Sequence, residues 1–307
     1  MMQNRKAAIQ KFFLGRHFTD GILFKVTIYV LLISIGFVYL YPMLYMISNS
    51  LKSQSDIINP MINWIPSEFY MGNYQSAFKV LNYFDTFYKS LLVTLLPALI
   101  QTAITSLIGY GFATFNFKFK KIWLVLVLLT FIIPPQVYMI PRYVMFFRLY
   151  LYRTPFSIIL PALFGQGLNS AIFILIFYQF FRMIPKSLNE AAEIDGASQG
   201  YIFFKMAVPL SIPAYITSFL FGLVWYWNET YISSLFLDSS SANLQLKLAN
   251  FVSEYQAVSG GNQNLVMLNE GVRLAATLLI ILPMIIVYFT MQRWFVEGVE
   301  KTGITGE

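Results

Sequence analysis

The chain has 307 residues, 57% of them hydrophobic and only 11% charged, with a formal net charge of +7. Soluble globular proteins carry about 25% charged residues, so this composition excludes an ordinary soluble fold and indicates a membrane protein. Cysteine is absent and His17 is the single histidine, which leaves disulfide frameworks and thiolate or imidazole metal chemistry nothing to build on. In a chain this apolar, basic residues mark cytoplasmic loops rather than nucleic-acid contacts.

Residues 1–25 carry Arg5, Lys6, Lys11, Arg16 and Lys25. Their charged lead is long and no small-residue cleavage site follows it, so they read as a cytoplasmic segment before an uncleaved helix, not as a signal peptide. Uncharged stretches able to cross a ~30 Å core, about 20 residues as helix, follow at 26–47, 90–114, 122–141 and 154–181. A fifth at 212–237 qualifies despite Glu229, and a sixth covers 274–292. Residues 26–292 are therefore expected to form one all-α, six-span membrane domain, followed by a cytoplasmic tail at 293–307. Lys and Arg are about twice as dense in the two termini and in the connections holding Lys118, Lys120, Lys121, Arg182, Lys186 and Lys205 as on the opposite side. Both termini are thus expected in the cytoplasm, against the vote of Arg142, Arg148 and Arg153. The longer loops, at about 48–89 and 238–269, then face outward. The first is rich in aromatics and the second is polar.

Prolines 97, 134, 135, 141, 161 and 283 fall inside the expected spans. Each removes a backbone donor and tends to kink a helix. Membrane helices also tolerate proline, so a single one is compatible with an ordinary span; the cluster "PPQVYMIP" (134–141) reads as a deliberate break. Glu229, in "WYWNET" (225–230), is the acid deepest in an expected span. Two readings stand. It belongs to a substrate path with Trp227 and Asn228, whose ring and amide suit a sugar, or it sits solvated near an aromatic belt. Glu270 and Arg273 are expected to form a helix-end pair.

One segment differs from its surroundings: "SLNEAAEIDGASQGYIFFKMAVP" (187–209). Ser187 and Glu190 fit a capping box, which starts a helix at Leu188. Glu190 and Glu193 suit its first turns, Gly196 is a natural stop, Ser198 caps a second short helix, and Pro209 closes it. The product is a small-faced helix–turn–helix elbow on the cytoplasmic side.

Glu190-Ala191-Ala192, then Gly196, then Met206-Ala207-Val208-Pro209 resembles the EAA-x3-G-x9-I-x-L-P signature of ABC importer permeases, with Met206 and Val208 in place of Ile and Leu. "AAEIDGAS" (191–198) looks like the carbohydrate, maltose-type branch. "IIPPQVYMIPRY" (132–143), "WNE" (227–229) and "QRWFVEGV" (292–299) extend the likeness along the chain. The resemblance implies the type I importer permease fold, with the elbow at 185–209 coupling to a cytoplasmic ABC ATPase dimer through Glu190, Ala191, Ala192, Asp195 and Gly196. It also implies a second homologous permease subunit, an extracytoplasmic solute-binding protein, and a carbohydrate substrate, an oligosaccharide, moved by alternating access. The tail "GVEKTGITGE" (298–307) departs from the family's "GLTAGAVKG", which puts a second ATPase contact there in doubt. No G-x4-G-K-[ST] motif occurs, so ATP and Mg are expected in the partner ATPase, with no cofactor, metal or catalytic residue in this chain. The rival readings are a permease of the same superfamily for a non-sugar solute and an ion-coupled secondary carrier.

Overall fold

In the computed structural model, residues 21–259 and 269–299 are described; most of the N-terminal segment and the last part of the tail, 300–307, lie outside them. The described residues are helical and contain no strand. They divide into two compact units. One runs to Ala77 and takes in 269–278; the other holds the remaining described residues.

In the first unit, α1 (Ile22–Ser50) is a single helix of 29 residues, buried only at Asn49 and Ser50. At 1.5 Å per residue it is about 44 Å long, enough to span a bilayer. Its exposed surface is Leu, Ile, Val, Tyr and Phe, a surface suited to lipid. The chain then folds back through α2 (Gln54–Ile58). This connection is closed by polar contacts. The buried Lys52 donates Nζ hydrogens to Asn49 Oδ1 at 3.0 Å and to the carbonyls of Ile62 and Asn63 at 3.1 and 2.7 Å. Asn73 Nδ2 donates to the Ser50 and Lys52 carbonyls. Asp56 accepts from the Ser67 amide and hydroxyl at 2.9 and 2.5 Å, which holds its carboxyl below the usual range.

The second unit is organised on α4 (Tyr83–Thr114, 32 residues), preceded by α3 (Gly72–Leu81) across the unit boundary. The buried face of α4 is small and polar: Ser90, Thr94, Gln101, Thr102, Thr105 and Ser106. Ser90, Thr102 and Thr105 return their hydroxyls to carbonyls four residues back at 2.6–2.8 Å, so their polar atoms are satisfied within the helix. Small faces allow close helix approach in a membrane. At Gly109 a Cβ would come within 2.6 Å of Phe177 Cβ.

The third expected span is two helices, α5 (Lys120–Ile132) and α6 (Pro135–Arg148), bent by 92°. Ile133 and Pro134 leave the helical region, as residues preceding proline do. Pro141 lies inside α6 without ending it. The fourth expected span is also divided, contrary to the uninterrupted helix expected over 154–181. It forms α7 (Phe156–Leu163) and α8 (Ser170–Met183), separated by 164–169, where Gly165 and Asn169 take positive φ (67° and 53°). The fifth, α12 (Ile212–Asn228), stops before Glu229, and α13 (Tyr231–Phe236) follows. Glu229 therefore stands at a helix end, not deep within a span. The polar loop after it contains α14 (Leu244–Ala249) and α15 (Phe251–Val258). The last helix, Glu270–Val299 (30 residues), begins before the expected span and continues into the expected tail. Glu270 and Arg273 at its start are both exposed and form no ion pair, which corrects the expected helix-end contact. Among the described residues, three helices are long and apolar enough to cross a membrane, and three bent pairs qualify if each pair is counted as one span.

Candidate functional site

The segment after α8 forms the elbow. Helix α9 (Lys186–Ile194) meets α8 at 71° and has no buried residue. Its N-cap is Pro185 and no side chain caps it, so the expected box between Ser187 and Glu190 is not formed. Proline suits this junction because the first helical N–H groups need no intrahelical partner; Ser187 is drawn into the first turn. The stop is as expected. Gly196 takes φ +81°, its N–H donates to Glu193 at 3.0 Å, and the Ala197 N–H donates to Ala192 at 2.9 Å. These two bonds make a Schellman cap.

Ser198 then caps α10 (Gln199–Ile202), its hydroxyl accepting from the Tyr201 amide at 3.2 Å. Gln199 Nε2 reaches back to Glu193 Oε1 at 2.5 Å and ties the two arms together. Helical conformation passes through a five-residue π-turn (Phe203–Ala207) and α11 (Val208–Leu210), so Pro209 does not close the arm. The chain bends by 77° just after it, between Leu210 and Ile212. The π-turn widens the helix ahead of the proline, whose missing N–H would break an α-helical ladder. Phe203 and Ala207 are buried with Tyr110, Phe177, Phe181 and Ala214. The elbow thus has one arm rooted in the core and one standing free. Glu190, Ala191, Asp195 and Gly196 are all exposed and Ala192 is half-exposed.

The two helix breaks open a cavity of about 850 Å³. Pro135, Tyr138 and Arg142 of α6 line it together with Gln166, Gly167, Asn169 and Ser170 from the α7–α8 break. A smaller cavity of about 170 Å³ shares several of these residues and adds Tyr226, Glu229 and Tyr231. The break is locked from behind by three hydrogen bonds. Tyr226 Oη donates to Gln101 Oε1 at 2.6 Å, Gln101 Nε2 donates to the Leu168 carbonyl at 2.6 Å, and the Leu168 amide donates to Tyr226 Oη at 3.1 Å. Gly167 sits against this ring, and a Cβ there would collide with Gln101 and Tyr226.

Of the residues expected on the substrate path, Glu229 lines the smaller cavity, with Oε1 accepting from the Ile232 amide at 2.6 Å. Trp227 is buried edge-on to Phe87 and Asn228 donates to the Val224 carbonyl. Neither lines these cavities. Gln101, Arg142, Gln166 and Asn169 were not singled out from sequence. Arg142 directly follows the expected span at 122–141 and entered the sequence reading only through the charge bias that sets topology.

Residues 101–301 match the family described as "Binding-protein-dependent transport system inner membrane component". The chain belongs to this family. It is 30% identical over 297 residues to the polygalacturonan/rhamnogalacturonan transport system permease protein YtcP of Bacillus subtilis (strain 168), covering 92% of this chain and 99% of that one. It is 26% identical over 295 residues to the arabinooligosaccharides transport system permease protein AraQ of the same organism, covering 95% and 99%. Its fold is that of a chain in the crystal structure of a bacterial ABC transporter involved in the import of the acidic polysaccharide alginate. The TM-score is 0.76 at 22% identity, covering 89% of this chain and 96% of that one. The permease is thus a membrane transport component. Its matched region contains the elbow, both helix breaks and both cavities.

Proposed function

We propose that this permease is one membrane subunit of an ATP-driven importer for a carbohydrate, an oligosaccharide, working by alternating access. The observation that carries the reading is the elbow: an exposed helix with a tight glycine stop, tied to a second arm rooted in the helical core. A rigid element of this kind transmits a partner's movement, whereas a loose loop absorbs it. Glu190, Ala191, Ala192, Asp195 and Gly196 would contact a cytoplasmic ATPase dimer on a separate chain, which binds ATP and Mg. The helices and bent pairs would make six spans, with both termini cytoplasmic. A second permease subunit and an extracytoplasmic solute-binding protein would complete the assembly. The carbohydrate reading is supported by the two named relatives and by the amide-lined cavity.

The test is purification with the neighbouring transport subunits, reconstitution in vesicles, and measurement of ATP-dependent uptake. Expected are retention of an ATPase chain, saccharide uptake that stops without ATP, and at least a tenfold loss of uptake in Glu190→Lys. Uptake that follows an ion gradient with no ATPase would establish a secondary carrier instead. ATP-driven uptake of a non-sugar solute alone would leave the permease role and remove the carbohydrate.

A further inference from the structure

Arg142 is placed unusually for a cation in a membrane-spanning unit. Its guanidinium lies over the rings of Phe146 and Phe236, at 5.4 and 5.2 Å from their centroids. Nη2 donates to the Ser157 carbonyl at 3.1 Å, and Nε is buried without an acceptor. Among the described residues it enters no ion pair, yet it lines both cavities.

An unpaired cation in an apolar setting is costly, and such residues mark binding sites or pathways by default. Glu229, the acid lining the smaller cavity, has one oxygen taken by the Ile232 amide; its charge acts on Arg142, but the two form no ion pair. Two 14-residue helices begin at this cavity, α6 at Pro135 and α8 at Ser170. Their N-terminal ends add partial positive charge. Gln166 and Asn169 line the same cavities; both are exposed, and their side-chain amides have no protein partner among the described residues, so they can bond hydroxyls.

We propose that Arg142, with the amides of Gln166 and Asn169, forms a subsite for the carboxylate of an acidic saccharide, a uronic acid unit. The inference rests on the carbohydrate reading above and specifies the substrate class of that path. Guanidinium and carboxylate match in charge and in planar donor–acceptor geometry. A neutral sugar offers hydroxyls alone and forms no direct charge pair with the guanidinium. The selection is therefore a difference between two ligands of the same shape.

The test uses the assembled transporter in lipid nanodiscs, without its solute-binding protein, and measures equilibrium binding of trigalacturonate and of its fully methyl-esterified, neutral form. At least tenfold tighter binding of the acid is expected. Arg142→Gln should bring the two affinities together, and Arg142→Lys should restore part of the difference. Equal binding by the unaltered transporter, or a parallel fall of both affinities in Arg142→Gln, would overturn the subsite. Reconstituted uptake separates the two readings. Transport of a neutral trisaccharide but not of the acid removes the subsite alone, whereas transport of no saccharide beside a transported non-sugar solute removes the carbohydrate reading itself.

Discussion

The elbow and the α7–α8 break are both interruptions of a helical path, and they are stabilised in opposite ways. The elbow is held by local devices: a glycine of positive φ, a serine cap and a Glu193–Gln199 contact, all within 14 residues from Lys186 to Gln199. The break at 164–169 is held by residues distant in sequence. Gln101 and Tyr226 are 67 and 58 positions from Leu168, and both are buried. The elbow is closed by short-range caps that leave most of its side chains exposed. The buried back of the break, packed among helices and away from water, instead recruits side chains from neighbouring helices to satisfy its backbone.

This difference predicts a hierarchy of effects. Gln101→Leu strips Tyr226 and the Leu168 carbonyl of a partner in a buried site, and a loss of about 2–4 kcal/mol is expected, read as a fall in the unfolding midpoint of the solubilised protein. A loss below about 0.5 kcal/mol would mean that the break is held by something else. Gly196→Ala introduces a side chain at φ +81° with open space around it; the cost is backbone strain of about 1–2 kcal/mol, with a local rise in hydrogen exchange at Ala197. Ser198→Ala removes one cap and is expected to cost about 1 kcal/mol, fraying α10 in the same exchange measurement. Glu190→Lys, at an exposed position, should move stability by no more than about 0.5 kcal/mol while uptake falls.

The smallest effect is at Asp238, outside both regions. Its carboxylate accepts from the amides and hydroxyls of Ser240 and Ser241, which lowers its pKa to about 2. A depressed acid contributes stability that is present above its unfolded value, about 3.9, and is lost as pH falls through the folded one. Midpoints compared between pH 5 and pH 2 should therefore fall less in Asp238→Asn than in the unaltered chain. Identical slopes would show that the turn has no linked proton.

The same contrast explains what the sequence made legible. Gly196 and Ser198 act within a turn of themselves, so their roles could be read from neighbours alone. Pro134 and Pro135 act on the residue before them, and the break they impose was equally readable. The Ser187 box failed because Pro185 offered a competing helix start two residues earlier. The α7–α8 break was hidden by the apolar run around it, although "FGQGLN" (164–169) holds two glycines and an asparagine, residues that punctuate helices. Gln101 was invisible for a different reason. Nothing local distinguishes a membrane glutamine that closes a ring from one that faces a pore; only the positions of Tyr226 and Leu168 decide it.

The π-turn at Phe203–Ala207 closes its hydrogen bond over one residue more than an α-helical turn would use. In screw terms, that surplus residue corresponds to about 100° of rotation and 1.5 Å of advance. It sits between the free arm of the elbow and α12, below every cap that shapes the arm itself. The angle at which the elbow's second arm runs into α12 is therefore set by the phase of a single turn, while α9 is held from the other side by its 71° junction with α8. Removing one residue there would turn the second arm against that junction.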